Sequence, residues 1–338
     1  NGYSFSLDGN KIAMQIDIET PFREQLFIYD IKTTTSQQIT KGEVPIVNPI
    51  WSKNSKKIAA LRTSDGQNGE LLVYNLENSK MDTIRPLTKD NIFRPITFSP
   101  DDTSILCLSK NDKGFAQLTL IDDTTHEVTM FGSDEWDVME AVWGKNSGIY
   151  FTQNVSGRTG IYHMQNQQSK VEEILPPSGN ISGINLNKEG TKMLFSKQDA
   201  THPEEIYLLD LKTKQIQQLT NSAPVEIETS KLSVAESFKI KSFDKTPIEG
   251  FLYKPKGHSE KPFPAVLVVH GGPSGQDVDS FNSMTQSLTQ AGFVVFNINY
   301  RGSVGYGKAF EDLNNKDWGG GDLKDFKAVL EHFIKQGL

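Results

Sequence analysis

The chain has 338 residues, more than a single core usually serves, so two domains are the first expectation. Its 35 basic and 42 acidic residues leave a formal charge of -7, which argues against nucleic acid or an anionic membrane surface as a partner. No apolar run reaches the roughly 18 residues of a membrane span, and the single cysteine, Cys107, sits in the apolar run 105–108, where it reads as a small buried side chain. One cysteine excludes an internal disulfide and fits a reducing, cytoplasmic setting. A chain that opens on Asn1 carries no information about a leader upstream.

From the start to about Thr220 the sequence repeats with a period in the forties. Each copy has an aromatic or apolar residue followed by a small one, a turn with Asp, Asn or Gly, and two short apolar runs. The copies begin at Phe5-Ser6, Trp51-Ser52, Phe98-Ser99, Trp143-Gly144 and Leu186-Asn187. The runs 11–14, 57–60, 104–108, 148–151 and 192–195 read as second strands, and 26–30, 71–75, 117–122, 160–164 and 205–210 as third strands. Such a period, with four strand-like runs per copy, predicts five blades of a β-propeller over 1–222. An isolated blade cannot bury its apolar face, so the blades must stack, and Trp51 and Trp143, at equivalent positions, are expected between them. His126, His163 and His202 fall in different copies without cysteine partners or close spacing, so neither a metal site nor a cofactor is expected.

Ser222-Ala223-Pro224 reads as a linker, and 233–338 as a second domain. The run 236–243 alternates like a strand, 243–246 is a hairpin turn and 248–253 the returning strand. The β-branched runs 265–269 and 293–298 are strands buried on both faces. Between them Phe281, Met284, Leu288 and Ala291 share one helical face, with Gly292 after it. Strand, helix and strand make a right-handed βαβ crossover, so His270-Gly271-Gly272-Pro273 lies at the carboxyl end of a strand, where open sheets bind ligands. A dinucleotide site is excluded: the glycines fall at 271, 272 and 275, and the second strand ends without an acidic residue. A glycine turn of this kind also serves acyl transfer in α/β-hydrolases, where a backbone N–H meets the oxyanion. The last helix is predicted from Asp322 as its N-cap, with Leu323, Phe326, Val329, Leu330, Phe333 and Ile334 on one face and Gly337 closing it.

The motifs HGGPSGQ, then NYRGSVGYG, then DWGGGDLKD resemble, in that order, the peptidase domain of the prolyl oligopeptidase family of serine peptidases, most of all its acylaminoacyl-peptidase branch. The resemblance covers roughly 238–338. It implies the first half of an α/β-hydrolase behind a partial propeller, and an enzyme that cleaves short or N-acylated peptides through an acyl-enzyme. The propeller would gate access, and a homo-oligomer is possible. It also implies that Gly272, or less favourably Gly271, supplies an oxyanion-hole N–H. Arg301 could face substrate or tie its loop to neighbours.

His270 precedes any nucleophile in the α/β-hydrolase order of Ser, Asp and His, so it reads as structural. Ser274 has no glycine at the second position after it, and no Gly-x-Ser-x-Gly occurs in the 338 residues, so the triad is absent from this sequence. Dipeptidyl peptidases of the family hold a free N-terminus on propeller glutamates, but Glu140, three residues before Trp143, does not match their spacing from an Asp-Trp such as that near Asp134-Glu135-Trp136. The alternative from another class is a propeller binding protein with a hydrolase remnant.

Overall fold

The computed structural model describes residues 2–338 apart from 18–20, 67, 87–91, 225–226, 258–261 and 273. Five four-stranded antiparallel sheets follow one another along the chain. The first holds Tyr3–Phe5, Lys11–Ile16, Gln25–Asp30 and Thr35–Gln38 (β1–β4), the second Ile46–Trp51, Lys57–Arg62, Glu70–Asn75 and Lys80–Arg85 (β5–β8). The third holds Arg94–Phe98, Ser104–Lys110, Ala116–Asp122 and Val128–Phe131 (β9–β12). Asp137–Gly144, Gly148–Val155, Arg158–Met164 and Glu172–Leu175 (β13–β16) make the fourth, and Asn180–Leu186, Lys192–Asp199, His202–Asp210 and Ile216–Gln218 (β17–β20) the fifth. These are propeller blades. The repeat residues Phe5, Trp51, Phe98, Trp143 and Leu186 close the first strand of each blade or stand next to its end, so each blade starts several residues before the repeat registers in sequence.

The small polar residue of the repeat has a definite task. Its side-chain oxygen accepts the N–H of the residue five positions on, which opens the second strand: Ser6 from Lys11 at 2.9 Å, Ser52 from Lys57 at 2.8 Å, Ser99 from Ser104 at 3.0 Å and Asn187 from Lys192 at 2.9 Å. Each hairpin therefore carries its own cap. Blade four has Gly144 instead, paired directly with Gly148, and a Cβ there would lie 2.0 Å from Ser147 Oγ.

Blades pack in sequence, each through its first strand onto the one before. Trp51 is buried among Ala13, Leu26 and Ile58 and donates its indole N–H to Ser4 O at 3.0 Å, so it is the inter-blade core residue expected. Trp143 packs against the cluster of Leu106, Ile149 and Phe151 between blades three and four. Cys107 is fully buried in β10, and burial pushes its thiol pKa up. Among the described residues no comparable packing joins blade one to blade five. Tyr3 and Phe5 at one end, and Leu194 and Ile206 at the other, are exposed.

The remaining chain forms a sheet in the order β21 (Glu236–Lys241), β22 (Pro247–Tyr253), β24 (Val294–Asn299) and β23 (Ala265–Val268), with β23 and β24 parallel. Helix α1 (Ser283–Gln290) makes the crossover, α2 (Lys308–Glu311) follows β24, and α3 (Gly321–Lys335) packs Val329 and Phe333 onto Ile248 and Phe296. Lys245, where the resembled family has glycine, takes the left-handed conformation a glycine would favour, at φ 72°.

Both helices depart from the expected faces. Asn282 caps α1 by accepting the Thr285 N–H, and α1 buries Thr285, Gln286 and Thr289 while Met284 is exposed. The polar face is inward because Gln286 Nε2 donates to Ala200 O in the β18–β19 turn and to Ser233 O, while its Oε1 accepts the Ser233 N–H. In α3 the cap position is Gly320, and Asp322 lies inside the first turn. Asp317 takes the Gly321 N–H instead, and Leu323 and Ile334 are exposed.

Blades three to five hold the hydrolase sheet through directional contacts. Asp279 accepts Arg158 Nε at 2.8 Å and the Ala200 N–H at 3.0 Å, and donates its own N–H to Gly157 O at 2.9 Å. Arg158 also donates to Ala235 O and Ser237 Oγ and covers the Phe251 ring. Lys308 N donates to Lys113 O at 2.9 Å, and the ring of Trp136 meets that of Tyr306 edge-on at 6.3 Å. Asp279→Ala should leave Arg158 without its carboxylate and the Ala200 N–H unpartnered. We expect a loss of about 2–4 kcal/mol, read as a lowered urea midpoint. An unchanged midpoint would show that these bonds do not hold the two parts together.

Candidate active site

The turn after β23 is built for glycine at one position. Gly272 has φ +133°, and a Cβ on it would lie 2.6 Å from Ser274 N and 2.9 Å from Gly275 N. Nothing lies within 4 Å of a Cβ on Gly271. Both glycines are exposed and outside regular structure, so neither N–H is used in a strand or helix. Pro273 of the motif lies outside the described residues, and Ser274 is exposed.

His270 stands beside this turn. Its Nδ1 is 3.0 Å from Gly271 O, its Nε2 is 2.9 Å from Ser303 Oγ, and its ring stacks on Tyr300 at 4.6 Å. Just beyond the turn Asn299, the last residue of β24, accepts the Asp277 N–H at 2.7 Å and donates to Asp277 O and to Tyr306 Oη, both at 2.9 Å. Gln276 Oε1 accepts from Asn154 of blade four at 2.5 Å. The turn is thus flanked by the loop after β24 on one side and by the propeller on the other.

Asp277 is the unusual group here. Its Oδ2 is buried with no hydrogen-bond partner among the described residues, and burial raises its carboxyl to about 6, with the charge of His270 pulling the other way. A carboxyl whose folded pKa lies above its unfolded value contributes fully below the unfolded pKa, near 4, and loses that contribution as pH rises toward 6. Asp277→Asn should therefore raise the melting temperature at pH 7.5 and leave it nearly unchanged at pH 4. Equal melting temperatures for variant and parent at pH 7.5 would contradict the buried, unpartnered carboxylate.

Arg301 is only 5% exposed and faces carboxylates on two elements. Its backbone N–H, Nε and Nη2 donate to Asp325 of α3 at 3.0, 2.9 and 2.8 Å, and Nη1 and Nη2 donate to Asp244 of the β21–β22 turn at 3.0 and 3.2 Å. Its guanidinium also covers the Phe243 ring, and Ser242 Oγ donates to Asp325 at 2.5 Å. The donors a substrate would need are thus taken up, and the geometry gives Arg301 the loop-tying role in place of the substrate-facing one. The Arg301 donors hold the Asp244 carboxyl down to about 2. Asp325→Ala should cost about 3–5 kcal/mol, because Arg301 stays buried with half its partners gone. A chemical-denaturation loss below about 1 kcal/mol would refute that assignment.

A cavity of about 330 Å3 opens where the propeller meets the 304–311 loop, lined by Arg94, Lys110, Asp137 and Met139 on the propeller side and by Gly305 and Glu311 opposite. Asp137 accepts the Ala116 N–H at 2.6 Å, and burial pushes its carboxyl up. Glu140, compared above with the N-terminus-binding glutamates, points to blade five instead, accepting the Ile184 N–H at 3.4 Å, and its carboxyl is raised by burial. His126 is exposed, His163 Nε2 contacts Ser147 O, and His202 Nδ1 contacts Asp199. Among the described residues no group of three or more His, Cys, Asp or Glu is arranged to hold a metal ion. No helix among them is long and apolar enough to cross a membrane.

Asn154, Trp136 and Asp277 reach this region without any motif to mark them. Their only sequence signal is position, since Asn154 and Trp136 border the blade-four strands β14 and β13 at the ends that approach the hydrolase sheet.

A propeller seated against the glycine turn of a βαβ unit defines a propeller-bearing α/β-hydrolase. The comparisons agree with that class: residues 12–231 match the TolB beta propeller domain and residues 279–338 the prolyl oligopeptidase family. The chain belongs to the prolyl oligopeptidase family, with a propeller of the TolB kind. It is 28% identical over 197 residues to the uncharacterized peptidase YuxL of Bacillus subtilis, a match that takes in 58% of this chain and 30% of that protein. It is 22% identical over 329 residues to dipeptidyl-peptidase 5 of Porphyromonas gingivalis, covering 90% of this chain and 48% of the relative. A crystal structure of puromycin hydrolase superposes with a TM-score of 0.83 at 15% identity, covering 99% of this chain and 55% of that one, a likeness of fold. The chain thus spans about half the length of that hydrolase and of the Porphyromonas relative.

Proposed function

We propose that this chain supplies the propeller and the oxyanion side of a serine peptidase that cleaves short or N-acylated peptides through an acyl-enzyme. The division falls between a propeller at 1–222 and a peptidase part from 233, and the propeller limits access by size. The observation that carries the reading is Gly272: a positive φ, no room for a side chain and an N–H outside regular structure, at the carboxyl end of a parallel strand. Gly271, with open space around it, is the weaker donor. Puromycin hydrolase and dipeptidyl-peptidase 5 are named for acting on small peptide-like or short peptide substrates, which supports the class of substrate. A cytoplasmic setting and self-association through the exposed Leu323 and Ile334 face of α3 belong to the same reading.

With no Gly-x-Ser-x-Gly among its 338 residues, the chain by itself has no nucleophile to activate. Expressed alone it should hydrolyse no chromogenic acyl-peptide and take up no fluorophosphonate label, whereas the reading frame extended through a downstream nucleophile should do both. In the extended enzyme Gly272→Ala should lower kcat by roughly 10²- to 10³-fold. Stoichiometric labelling of the 338-residue chain, at Ser274 for instance, would overturn this proposal.

A further inference from the structure

The Gly271–Gly272 peptide is a rigid trans unit, so its C=O and N–H point to opposite sides, and whatever holds the carbonyl also aims the N–H. His270 holds the carbonyl. Its Nδ1 lies 3.0 Å from Gly271 O, and a carbonyl only accepts, so Nδ1 carries a proton. At the far side of the ring Ser303 Oγ gives its single proton to Tyr300 O at 2.6 Å, so it accepts from Nε2 at 2.9 Å. Both ring nitrogens therefore donate, and the imidazolium that this requires is attracted to the Asp277 carboxylate. Three further contacts fix the ring in place. It stacks on Tyr300 with an interplanar angle of 19°, Tyr300 Oη donates to His270 O at 3.0 Å, and Tyr300 packs edge-on against Phe326 of α3.

We propose that His270 is a positioning residue for the oxyanion turn: its Nδ1–H anchors the Gly271 carbonyl and so turns the Gly272 N–H outward, away from the imidazole, for the substrate oxygen. This rests on the reading of Gly272 as a donor, and it gives the histidine a role that its place ahead of the nucleophile otherwise denies it. Gly275 completes the fit, since a Cβ there would lie 3.0 Å from His270 Nδ1 and 2.6 Å from Gly271 O, crowding the bond that does the aiming.

The two ring nitrogens can be tested separately. His270→Asn keeps an N–H close to Nδ1 and loses the reach to Ser303, whereas His270→Gln keeps an N–H close to Nε2 and loses the Gly271 carbonyl. In the extended enzyme Asn should hold kcat within a few fold, and Gln should lower it by roughly 10²-fold at little change in KM. In the 338-residue chain labelled with 15N-glycine, the Gly272 amide resonance should move in His270→Gln and return close to the parent position in His270→Asn. A Gly272 resonance and a kcat indifferent to both substitutions would overturn the proposal, as would loss in Asn with retention in Gln. If Gly272→Ala leaves kcat unchanged while the Gly272 resonance still follows the Asn and Gln pattern, the donor reading fails and the anchoring by His270 stands.

Discussion

The ion pair of Arg301 and Asp325 is the constraint on which the hydrolase half depends. Taking both charges out of water is costly unless every donor and acceptor finds a partner, and here the carboxylate of Asp325, fully buried, collects four hydrogen bonds from Arg301 and Ser242. The pair joins helix α3, the β21–β22 turn and the loop after β24, which meet nowhere else through side chains of this strength. That loop then supplies Tyr300 and Ser303 to His270 and Tyr306 to Asn299. The placement of the glycine turn is inherited, two contacts removed, from a guanidinium that never touches it.

The junction between propeller and sheet is made the same way. Arg158, Asp279 and Gln286 are buried polar groups whose partners come from three separate segments, and their bonds are directional where apolar contacts are not. Apolar burial would let the two parts slide; this network defines one seating. Glycine contributes by subtraction at the same seam, since Cβ atoms on Gly114 and Gly307 would lie 2.4 Å from Lys308 Cβ and 2.9 Å from the Phe115 ring.

How much of this was legible in the sequence follows from how local each signal is. The blades could be read because the turn cap spans five residues and recurs at a fixed period, and Gly272 could be read because its backbone conformation is a property of the residue itself. The faces of α1 could not. Its apolar spacing is real, but Gln286 and Thr289 are drawn inward by Ala200 and Ser233, which lie far off in sequence. Asp322 had the residue type and the position of a cap, yet the tight turn before α3 gave that task to Asp317. Arg301 was ambiguous for the same reason: its partners are 24 and 57 positions away, in segments that nothing local marks as neighbours.

The lone thiol of blade three acquires a practical meaning from its setting. Cys107 lies in a central strand between two others, with no exposure and with ionisation opposed by burial, so the folded protein offers alkylating reagents no thiolate. Its reaction rate is then a clock for the opening of that blade alone, measurable without a label, a tag or a substituted residue.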